Sequence, residues 1–432
     1  MAHRKKALVC FDGLNLGQFE AIQKRMPQLT ALMSTGPIAE LDSTPFSEAH
    51  PIWSEILTGQ PWYRNGCAGY AKPLSTLNQL KVITERDLNV PIQLFNDVEA
   101  GLSILINTPI VQPLDGRRIW LSDGVSSFIN PISPGALLKH LPFRSYAPKP
   151  VVSMGQALAN GAEMLTKFLD CELNKLQCAL ALAERSDWTF FLYRSSIFDQ
   201  LSHLLGAHFI EQQNLAISAR VNQLLTKADE ILTPILRMAD DKVLFSSFSH
   251  VRCEGIFSIN DALEQARLLA RTPKKSGDTQ LRLAALAAAQ GGEAEPTQPT
   301  MVAETMQYLA KRTLCASPVR GNIYLNTANR FEDGGKIDDM AISNEEHRIA
   351  EFFESATNRF GSSAKIFLNP ERLLGGPNFV FLIDGIELVE SLETTLRTQD
   401  LPLSTHSSRG FVWSPKVDRS LKYRPLDLHN VM

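Results

Sequence analysis

Short apolar runs alternate with longer amphipathic segments along most of the chain. Runs of strand length occur at Lys6–Phe11, Trp188–Tyr193 and Lys242–Phe248. A longer segment, Gln212–Met238, repeats its apolar residues every three or four positions, as an amphipathic helix does. Strands that alternate with helices predict a largely parallel sheet with helices on both faces. The pattern therefore predicts the α/β fold class, with a doubly wound sheet.

The same pattern predicts further elements. We expect helices at Phe19–Met33, Trp53–Leu57, Met154–Ala183, Ser195–Leu205 and Glu345–Arg359, and strands at Ile38–Leu41, Ile92–Phe95, Asn322–Leu325, Lys365–Leu368 and Phe379–Ile383. Residues 272–303 break the pattern, because an alanine-rich stretch there is followed by glycine, proline and glutamate. We expect a flexible, low-complexity insertion at this place.

The composition is typical of a large globular protein. Of the 432 residues, 44% are hydrophobic, which is enough for an extensive core and excludes a mostly disordered chain. The 43 Lys and Arg residues nearly balance the 46 Asp and Glu residues, so the net charge is −3. Because nucleic-acid binders usually carry a basic excess, we expect no nucleic-acid partner.

The sequence also bears on the compartment. No apolar stretch reaches the ~20 residues that a membrane-spanning helix needs. The first apolar run stops at Asp12-Gly13 and is too short for the core of a secretory signal. The six cysteines are scattered without a C-x-x-C motif, as is typical of free thiols in a reducing compartment. We therefore expect a cytoplasmic protein with no membrane partner.

Three common functional signatures are absent from the sequence. There is no G-x-x-x-x-G-K-[ST], no G-x-G-x-x-G after a predicted strand, and no G-x-S-x-G. These motifs cradle phosphates, bind dinucleotides or present a nucleophilic serine. Their absence disfavours a P-loop NTPase, a Rossmann dehydrogenase and an α/β-hydrolase.

The first candidate for chemistry is the Asp-x-x-x-His pair Asp199 and His203. On a helix these positions share one face, so both side chains could reach one metal ion. The pair follows the run Trp188–Tyr193, and ligand crevices of open α/β sheets form at the carboxyl ends of strands. Taken by itself, the pair fits an ordinary ion pair on a helix surface better.

Three further residues occupy similar places. Asp12 ends the first predicted strand, His250 follows the strand Lys242–Phe248, and His406 lies just ahead of Phe411-Val-Trp413. Each is a lone Asp or His at a junction between a strand and a loop. Each alone fits a structural role as well as it fits a ligand role.

Short motifs surround these residues in a fixed order. They are Val9-Cys-Phe-Asp-Gly13, Met26-Pro-Gln-Leu-Thr-Ala-Leu32, Ser43-Thr-Pro45, Trp53-Ser-Glu-Ile-Leu-Thr-Gly59, Arg64-Asn-Gly66, Gly69-Tyr70, Trp188–His203, Phe245–Asn260, Asn322-Ile-Tyr-Leu-Asn326 and Ser404–Gly410. Their order resembles that of the alkaline-phosphatase-like superfamily, in its type I phosphodiesterase/nucleotide pyrophosphatase branch. Each motif is short, and it is the shared order over residues 6–415 that carries the resemblance.

The resemblance implies a site with two neighbouring metal ions that hold a phosphoryl group during its displacement. It assigns Asp199, His203 and His406 to one divalent ion, which we expect to be zinc. It assigns Asp12 and His250 to the second ion, or to polar catalytic roles.

Two positions depart from the family pattern. Counting from Ser43-Thr-Pro45 to Trp53 places Ala49 where the family has its Thr or Ser nucleophile, and Ser249 stands where a carboxylate ligand of the second metal is expected. A methyl group cannot attack phosphorus, and a neutral hydroxyl is a poor substitute for a carboxylate on a hard dication. We therefore expect the second metal to bind weakly or not at all.

The sequence leaves three explanations for Ala49 open. It could be an engineered replacement of the nucleophile. The loop alignment could be displaced, with Ser47 as the nucleophile or Glu48 as a replacement ligand. Or the chain could have lost the covalent mechanism and use one metal, or none; we favour this explanation. His50, beside the same loop, could contact substrate or serve a structural role.

The resemblance, together with these two departures, implies a metal-dependent enzyme that acts on a small phosphorus or sulfur ester without a covalent Thr or Ser intermediate. The expected partner is a small anionic substrate, and the sequence leaves the oligomeric state open. One alternative is a catalytically inactive member that binds a phosphorylated ligand or a protein partner. Another is a non-hydrolytic transferase or rearrangement enzyme on the same scaffold. The resemblance further implies one α/β domain over residues 1–415, with a cap insertion at 125–180 and a C-terminal tail at 416–432.

Overall fold

A computed structural model describes residues 4–94, 101–112, 118–124, 131–140, 142–148, 161–185, 187–206, 215–273, 300–301, 306–332, 334–335, 337–357, 365–371, 376–389 and 404–432. The α-helices within these residues are α1 Leu16–Gln23, α2 Pro27–Met33, α3 Ala49–Thr58, α4 Trp62–Asn65, α5 Gly161–Arg185, α6 Ile197–Leu205, α7 Leu215–Met238, α8 Ile259–Gln265, α9 Ile342–Thr357 and α10 Leu428–Val431. Several short 3₁₀ turns connect the elements.

The strands alternate with these helices through the first half of the chain and are denser in the second. They are β1 Lys6–Phe11, β2 Ile38–Asp42, β3 Ala71–Pro73, β4 Leu80–Val82, β5 Leu102–Ile106, β6 Arg118–Leu121, β7 Ile132–Ser133, β8 Trp188–Ser195, β9 Asp241–Ser246, β10 Ser249–Arg252, β11 Gly255–Ser258, β12 Arg271–Pro273, β13 Thr300–Met301, β14 Met306–Tyr308, β15 Cys315–Val319, β16 Asn322–Leu325, β17 Lys365–Leu368, β18 Phe379–Leu382, β19 Ile386–Val389, β20 Ser404–Ser407 and β21 Arg409–Trp413.

Eight strands form a central sheet in the order β2-β21-β9-β1-β8-β5-β6-β7. The five neighbours from β9 to β6 run parallel to one another. At the edges, β21 pairs antiparallel with both β9 and β2, and β7 pairs antiparallel with β6. The predicted α/β class with a largely parallel sheet is therefore confirmed.

The side chains of alternate residues in β1 project to opposite faces of this sheet. Ala7, Val9 and Phe11 belong to a hydrophobic core that they share with α1, α2, α5, α6 and α7. On the other face, Trp53 of α3 packs on Phe245 of β9, with ring centroids 5.5 Å apart. Because both faces are covered, the central strands are apolar without alternation, which is why they were visible as continuous runs.

The predicted helix Phe19–Met33 is wrong as a single element. The first helix, α1, begins after Asn15, whose side chain accepts from the backbone of Gln18 while the Gln18 side chain accepts from the backbone of Asn15. The chain then turns, and Pro27 begins α2. Proline has no N–H to donate within a helix, but its fixed φ suits the first turn of a new one.

The predicted strand Ile92–Phe95 is not formed over its described part. Gln93 and Leu94 instead donate their backbone N–H groups to the carbonyl of Leu57, each at 3.0 Å. That carbonyl lies in the last turn of α3, where it has no partner within the helix. The segment therefore caps a helix end, and its apolar side chains pack without joining a sheet.

The contacts within the chain define two compact units. The first comprises residues 1–61, 90–252 and 402–432, and it holds the central sheet together with the antiparallel pair β10-β20. The second comprises residues 62–89 and 253–401. It contains the antiparallel sheet β15-β16-β18-β17 over an aromatic core.

The predicted cap, C-terminal tail and insertion can each be compared with these units. The described part of the predicted cap at 125–180 includes α5, whose Leu165 and Leu169 belong to the core of the first unit. The C-terminal tail at 416–432 is ordered, and the backbone of Tyr423 pairs with that of β2. Most of 272–303 lies outside the described residues. The extents of the domain, the cap and the insertion stay predictions.

None of the described helices is both long enough and apolar enough to cross a bilayer.

Gly13, which lies close to the end of β1, packs directly against the backbone of α6. Its φ is +99°, and a Cβ at this position would lie 2.3 Å from the backbone nitrogen of Asp199. We expect Gly13→Ala to lower the free energy of unfolding by at least about 2 kcal/mol, because the new side chain meets both backbone strain and a clash. Urea unfolding followed by circular dichroism measures this loss.

The matched control is Gly17→Ala in α1. There a Cβ would meet only the Asn15 Oδ1 atom at 3.6 Å, an ordinary contact. Since alanine favours helix over glycine, this variant should be at least as stable as the parent protein. Equal unfolding midpoints for the two variants would contradict the role given to Gly13.

Candidate metal centre

Four side chains converge at one edge of the first unit. Asp199 and His203 come from α6, His250 from β10 and His406 from β20. One ligand atom of each lies within 4.8 Å of the ligand atoms of the others. We refer to these four residues as the Asp–His cluster.

The topology explains why these residues meet. Strand β8 runs parallel to β1 and leads directly into α6, where Asp199 and His203 are four residues apart on one helix face. Strands β10 and β20 are antiparallel, and His250 is paired directly with His406 across them. Directly opposed residues of two strands project their side chains to the same side. The helix and the strand pair therefore contribute two ligand atoms each.

The distances fit a four-coordinate ion. Oδ1 of Asp199 lies 2.9 Å from Nε2 of His250, 3.0 Å from Nε2 of His406 and 3.5 Å from Nε2 of His203. The Nε2 atoms of His203 and His406 are 3.1 Å apart. Bonds of about 2.0 Å in a tetrahedral zinc site place neighbouring ligand atoms about 3.3 Å apart. The cluster therefore has the size of a metal site, and its donor set suits zinc.

The hydrogen bonds of His250 direct a lone pair into the cluster. The Ser404 hydroxyl donates its only proton to the carbonyl of Ser202 at 2.8 Å, so toward Nδ1 of His250, 3.1 Å away, it accepts. This network assigns the ring proton to Nδ1 and leaves Nε2 as an acceptor facing the Asp199 carboxylate. With the ring proton on Nδ1, a cation such as a metal ion would satisfy both facing lone pairs; with the proton on Nε2, the 2.9 Å contact is an ordinary hydrogen bond to Asp199.

Burial reinforces this assignment. The His250 side chain is 0% exposed, and its burial lowers the pKa to about 3, so the ring is neutral near pH 7. For Asp199, burial raises the pKa, but the contacts that lower it, led by the hydrogen bond and charge of His203, outweigh burial and hold the pKa well below its ordinary value. A carboxylate and a neutral imidazole are the protonation states that ligate zinc.

Asp12 is not a member of the Asp–His cluster and has its own set of partners. Its carboxylate is fully buried and accepts from Nε of Arg194 at 2.6 Å, from the Trp53 ring N–H at 3.2 Å and from the backbone N–H of Ser247 at 3.2 Å. The hydroxyl of Ser247 and the thiol of Cys10 donate to it as well. Asp12 is not a member of the Asp–His cluster, whereas His250, which the resemblance had assigned to the same metal as Asp12, is a member.

The loop that the resemblance aligns with the family's nucleophile precedes α3. Ala49 is the first residue of that helix, and Ser47 and Glu48 are half-buried immediately before it. His50 is buried in the first turn. None of these residues is a member of the Asp–His cluster. Ser249, at the start of β10, is buried next to His250 and brings no carboxylate.

Sequence reasoning missed Arg194. This residue lies near the end of β8, directly after the apolar run Trp188–Tyr193, and is buried. A basic residue that ends a buried strand was a visible signal, because buried cations need a charged partner. Burial lowers the pKa of its guanidinium, but the adjacent Asp12 carboxylate outweighs burial and raises the pKa above its ordinary value.

Comparison with known proteins rests on structure alone. No protein-family model matches the chain, and no curated protein sequence matches it. Phosphonoacetate hydrolase from Sinorhizobium meliloti 1021, in complex with phosphonoformate, has a TM-score of 0.57 at 13% identity, over 100% of this chain and 96% of the hydrolase. The same hydrolase in complex with phosphonoacetate gives the same values.

A second similar structure is murine ectonucleotide pyrophosphatase/phosphodiesterase 5. It has a TM-score of 0.51 at 10% identity, over 99% of this chain and 94% of that one. An inactive variant of it in complex with AMP has a TM-score of 0.50 at 11% identity, over 99% and 93%. Both proteins are alkaline-phosphatase-like. The resemblance in motif order is therefore confirmed at the level of fold: this chain has the α/β fold of the alkaline-phosphatase-like superfamily.

Proposed function

We propose that this protein hydrolyses a small phosphorus ester with the help of one divalent metal ion, zinc in our assignment, held by the Asp–His cluster. The observation that carries the proposal is the convergence of one carboxylate and three imidazoles at distances that suit one ion. The structures with the same fold add support, because they were solved with phosphonoacetate and with AMP, both of which present a phosphorus oxyanion.

A metal ion in this cluster would act as a Lewis acid on a phosphoryl oxygen and lower the pKa of bound water. The chain supplies the rest. Asp199 brings the negative charge that anchors a dication, and Ser404 fixes the tautomer of His250. Phe248 covers the His406 ring, with centroids 5.0 Å apart, and shields that side from water.

Exposure indicates where substrate would approach. The His203 side chain is 44% exposed, whereas those of His250 and His406 are 0% and 14% exposed. The cluster is thus open on the α6 side and closed on the side of the strand pair. A zinc site with four protein ligands can take a fifth ligand in the transition state, and the exposed side leaves room for it.

The attacking group in this proposal is water. Ala49 offers only a methyl group, so the oxygen of water forms the new bond to phosphorus while the bond to the leaving alcohol breaks. The proton released by water ends on the leaving oxygen. No phosphorylated enzyme forms on this route.

A second candidate is a binding protein without turnover. Two observations favour it: the cluster already offers four protein ligands, as structural zinc sites do, and Ala49 replaces the nucleophile. In that case the metal would hold a phosphorylated ligand but not activate water.

Metal binding tests both candidates at once. We expect the purified chain to bind zinc, and His203→Ala and His406→Ala each to weaken binding at least about tenfold, because each removes one of four ligands. Isothermal titration with zinc and elemental analysis by mass spectrometry measure affinity and content.

The control is His347→Ala. His347 lies 3.2 Å from Glu351 on the exposed face of α9, so it is a surface acid–histidine pair outside the cluster. This variant should bind zinc as the parent protein does. If His203→Ala and His406→Ala also keep parental zinc affinity, the Asp–His cluster is not a metal site.

Turnover separates hydrolysis from binding. With zinc bound, we expect release of para-nitrophenol from bis(para-nitrophenyl) phosphate in heavy-oxygen water, with solvent oxygen in the phosphate product and no burst phase. Because Ser47 has no covalent role in this proposal, Ser47→Ala should keep most of the rate.

Other outcomes are equally informative. Loss of the rate in Ser47→Ala, together with a phosphorylated peptide in mass spectrometry, would establish Ser47 as a nucleophile. Product without solvent oxygen would indicate transfer to another acceptor. Zinc-dependent binding of AMP without turnover of phosphate or sulfate esters would support the binding protein.

A further inference from the structure

The Asp12 carboxylate has no acceptor position left for a metal ion. An ionised carboxylate offers about four lone-pair directions on its two oxygens. Oδ2 accepts from Arg194 and Trp53, and Oδ1 accepts from the backbone N–H and the hydroxyl of Ser247 and from the thiol of Cys10. Five donors thus surround a group that is 0% exposed.

His250 is also fully engaged. Its Nε2 faces Asp199 at 2.9 Å, and its Nδ1 faces the Ser404 hydroxyl at 3.1 Å. Nε2 therefore faces the Asp–His cluster and Nδ1 contacts Ser404, so both ring nitrogens already have partners. Ser249 has a neutral hydroxyl and Ala49 has a methyl group, so neither replaces a carboxylate. The four residues that the family pattern assigns to a second ion do not fit it.

A permanent cation already neutralises Asp12. The guanidinium of Arg194 remains charged at all relevant pH values, and it contacts the carboxylate in a site where its side chain is 9% exposed. A buried carboxylate without such a partner would be strongly destabilising. In a two-metal site, a dication would neutralise this carboxylate. Here the Arg194 side chain neutralises it.

We propose that the Arg194 guanidinium replaces the second metal ion of this fold, so that the protein is a one-metal member whose second positive charge is built into β8. This inference concerns how the second positive charge is supplied, and it goes beyond the proposed hydrolysis. It holds whether the bound metal activates water or only holds a ligand.

Metal stoichiometry tests the inference directly. After dialysis against excess zinc, we expect elemental analysis to give about one ion per chain for the parent protein. The double variant Arg194→Ala/Ser249→Asp removes the internal cation and restores a carboxylate, and its ratio should rise to about two. Two ions per parent chain would overturn the inference.

Two further variants separate the possible causes. Ser249→Asp alone is the matched control, and its ratio should stay at about one because Asp12 remains saturated by Arg194. The double variant Asp12→Asn/Arg194→Gln removes the buried charges together. Its affinity for the single ion should change by less than about tenfold, because Asp12 is not a ligand. A larger loss would show that Asp12 ligates the metal.

Unfolding curves of each variant show whether it folds. If Arg194→Ala/Ser249→Asp fails to fold, the parental ratio and the Asp12→Asn/Arg194→Gln affinity still decide the question. A protein that binds no metal at all would contradict the Asp–His cluster as a metal site. Two bound ions would contradict only the replacement by Arg194.

Discussion

Buried negative charge at the carboxyl ends of the parallel strands is the constraint on which this site depends. Asp12 follows β1, and Asp199 lies in the helix that follows β8. Neither carboxylate can remain inside a protein without a positive partner, because desolvation of an isolated charge costs far more than a fold can offset. Asp12 is paired with Arg194, whereas Asp199 faces three imidazoles at a place where a metal ion would neutralise it. The two carboxylates therefore differ in their partners: that of Asp12 is a fixed side chain, and that of Asp199 would be an exchangeable ion.

Most of the fold was predictable because the central strands are buried on both faces. Runs such as Lys6–Phe11 and Lys242–Phe248 are close to the observed β1 and β9, and α6 was expected close to its observed place. Local backbone chemistry caused the failures. Pro27 divides one apolar pattern into two helices, and the Ile92–Leu94 segment uses its donors on the end of α3. Apolar spacing carries no information about which carbonyl a backbone N–H will meet.

The sequence predicted which residues form the site better than it predicted how they are arranged. Asp199, His203 and His406 were expected together and do lie together. His250, which the resemblance assigned to a second ion, lies with them, and the sequence order of ligands does not show which way an imidazole turns. Ser404 and Asp199 on either side of the ring decide that. Arg194 was not among the expected site residues, and its partner, Asp12, is visible only in the structure.

The strand pair β10-β20 has a consequence for how this protein can vary. Residues 253–401 leave the first unit after β10 and return just before β20, so both ends of that long excursion are held side by side by the register of His250 opposite His406. Closing a longer loop costs little extra chain entropy, about 0.6 kcal/mol for each doubling of its length. Changes in length at loops between the helices and strands of the excursion would therefore leave the two histidines in place, because the register of β10 and β20 holds them together.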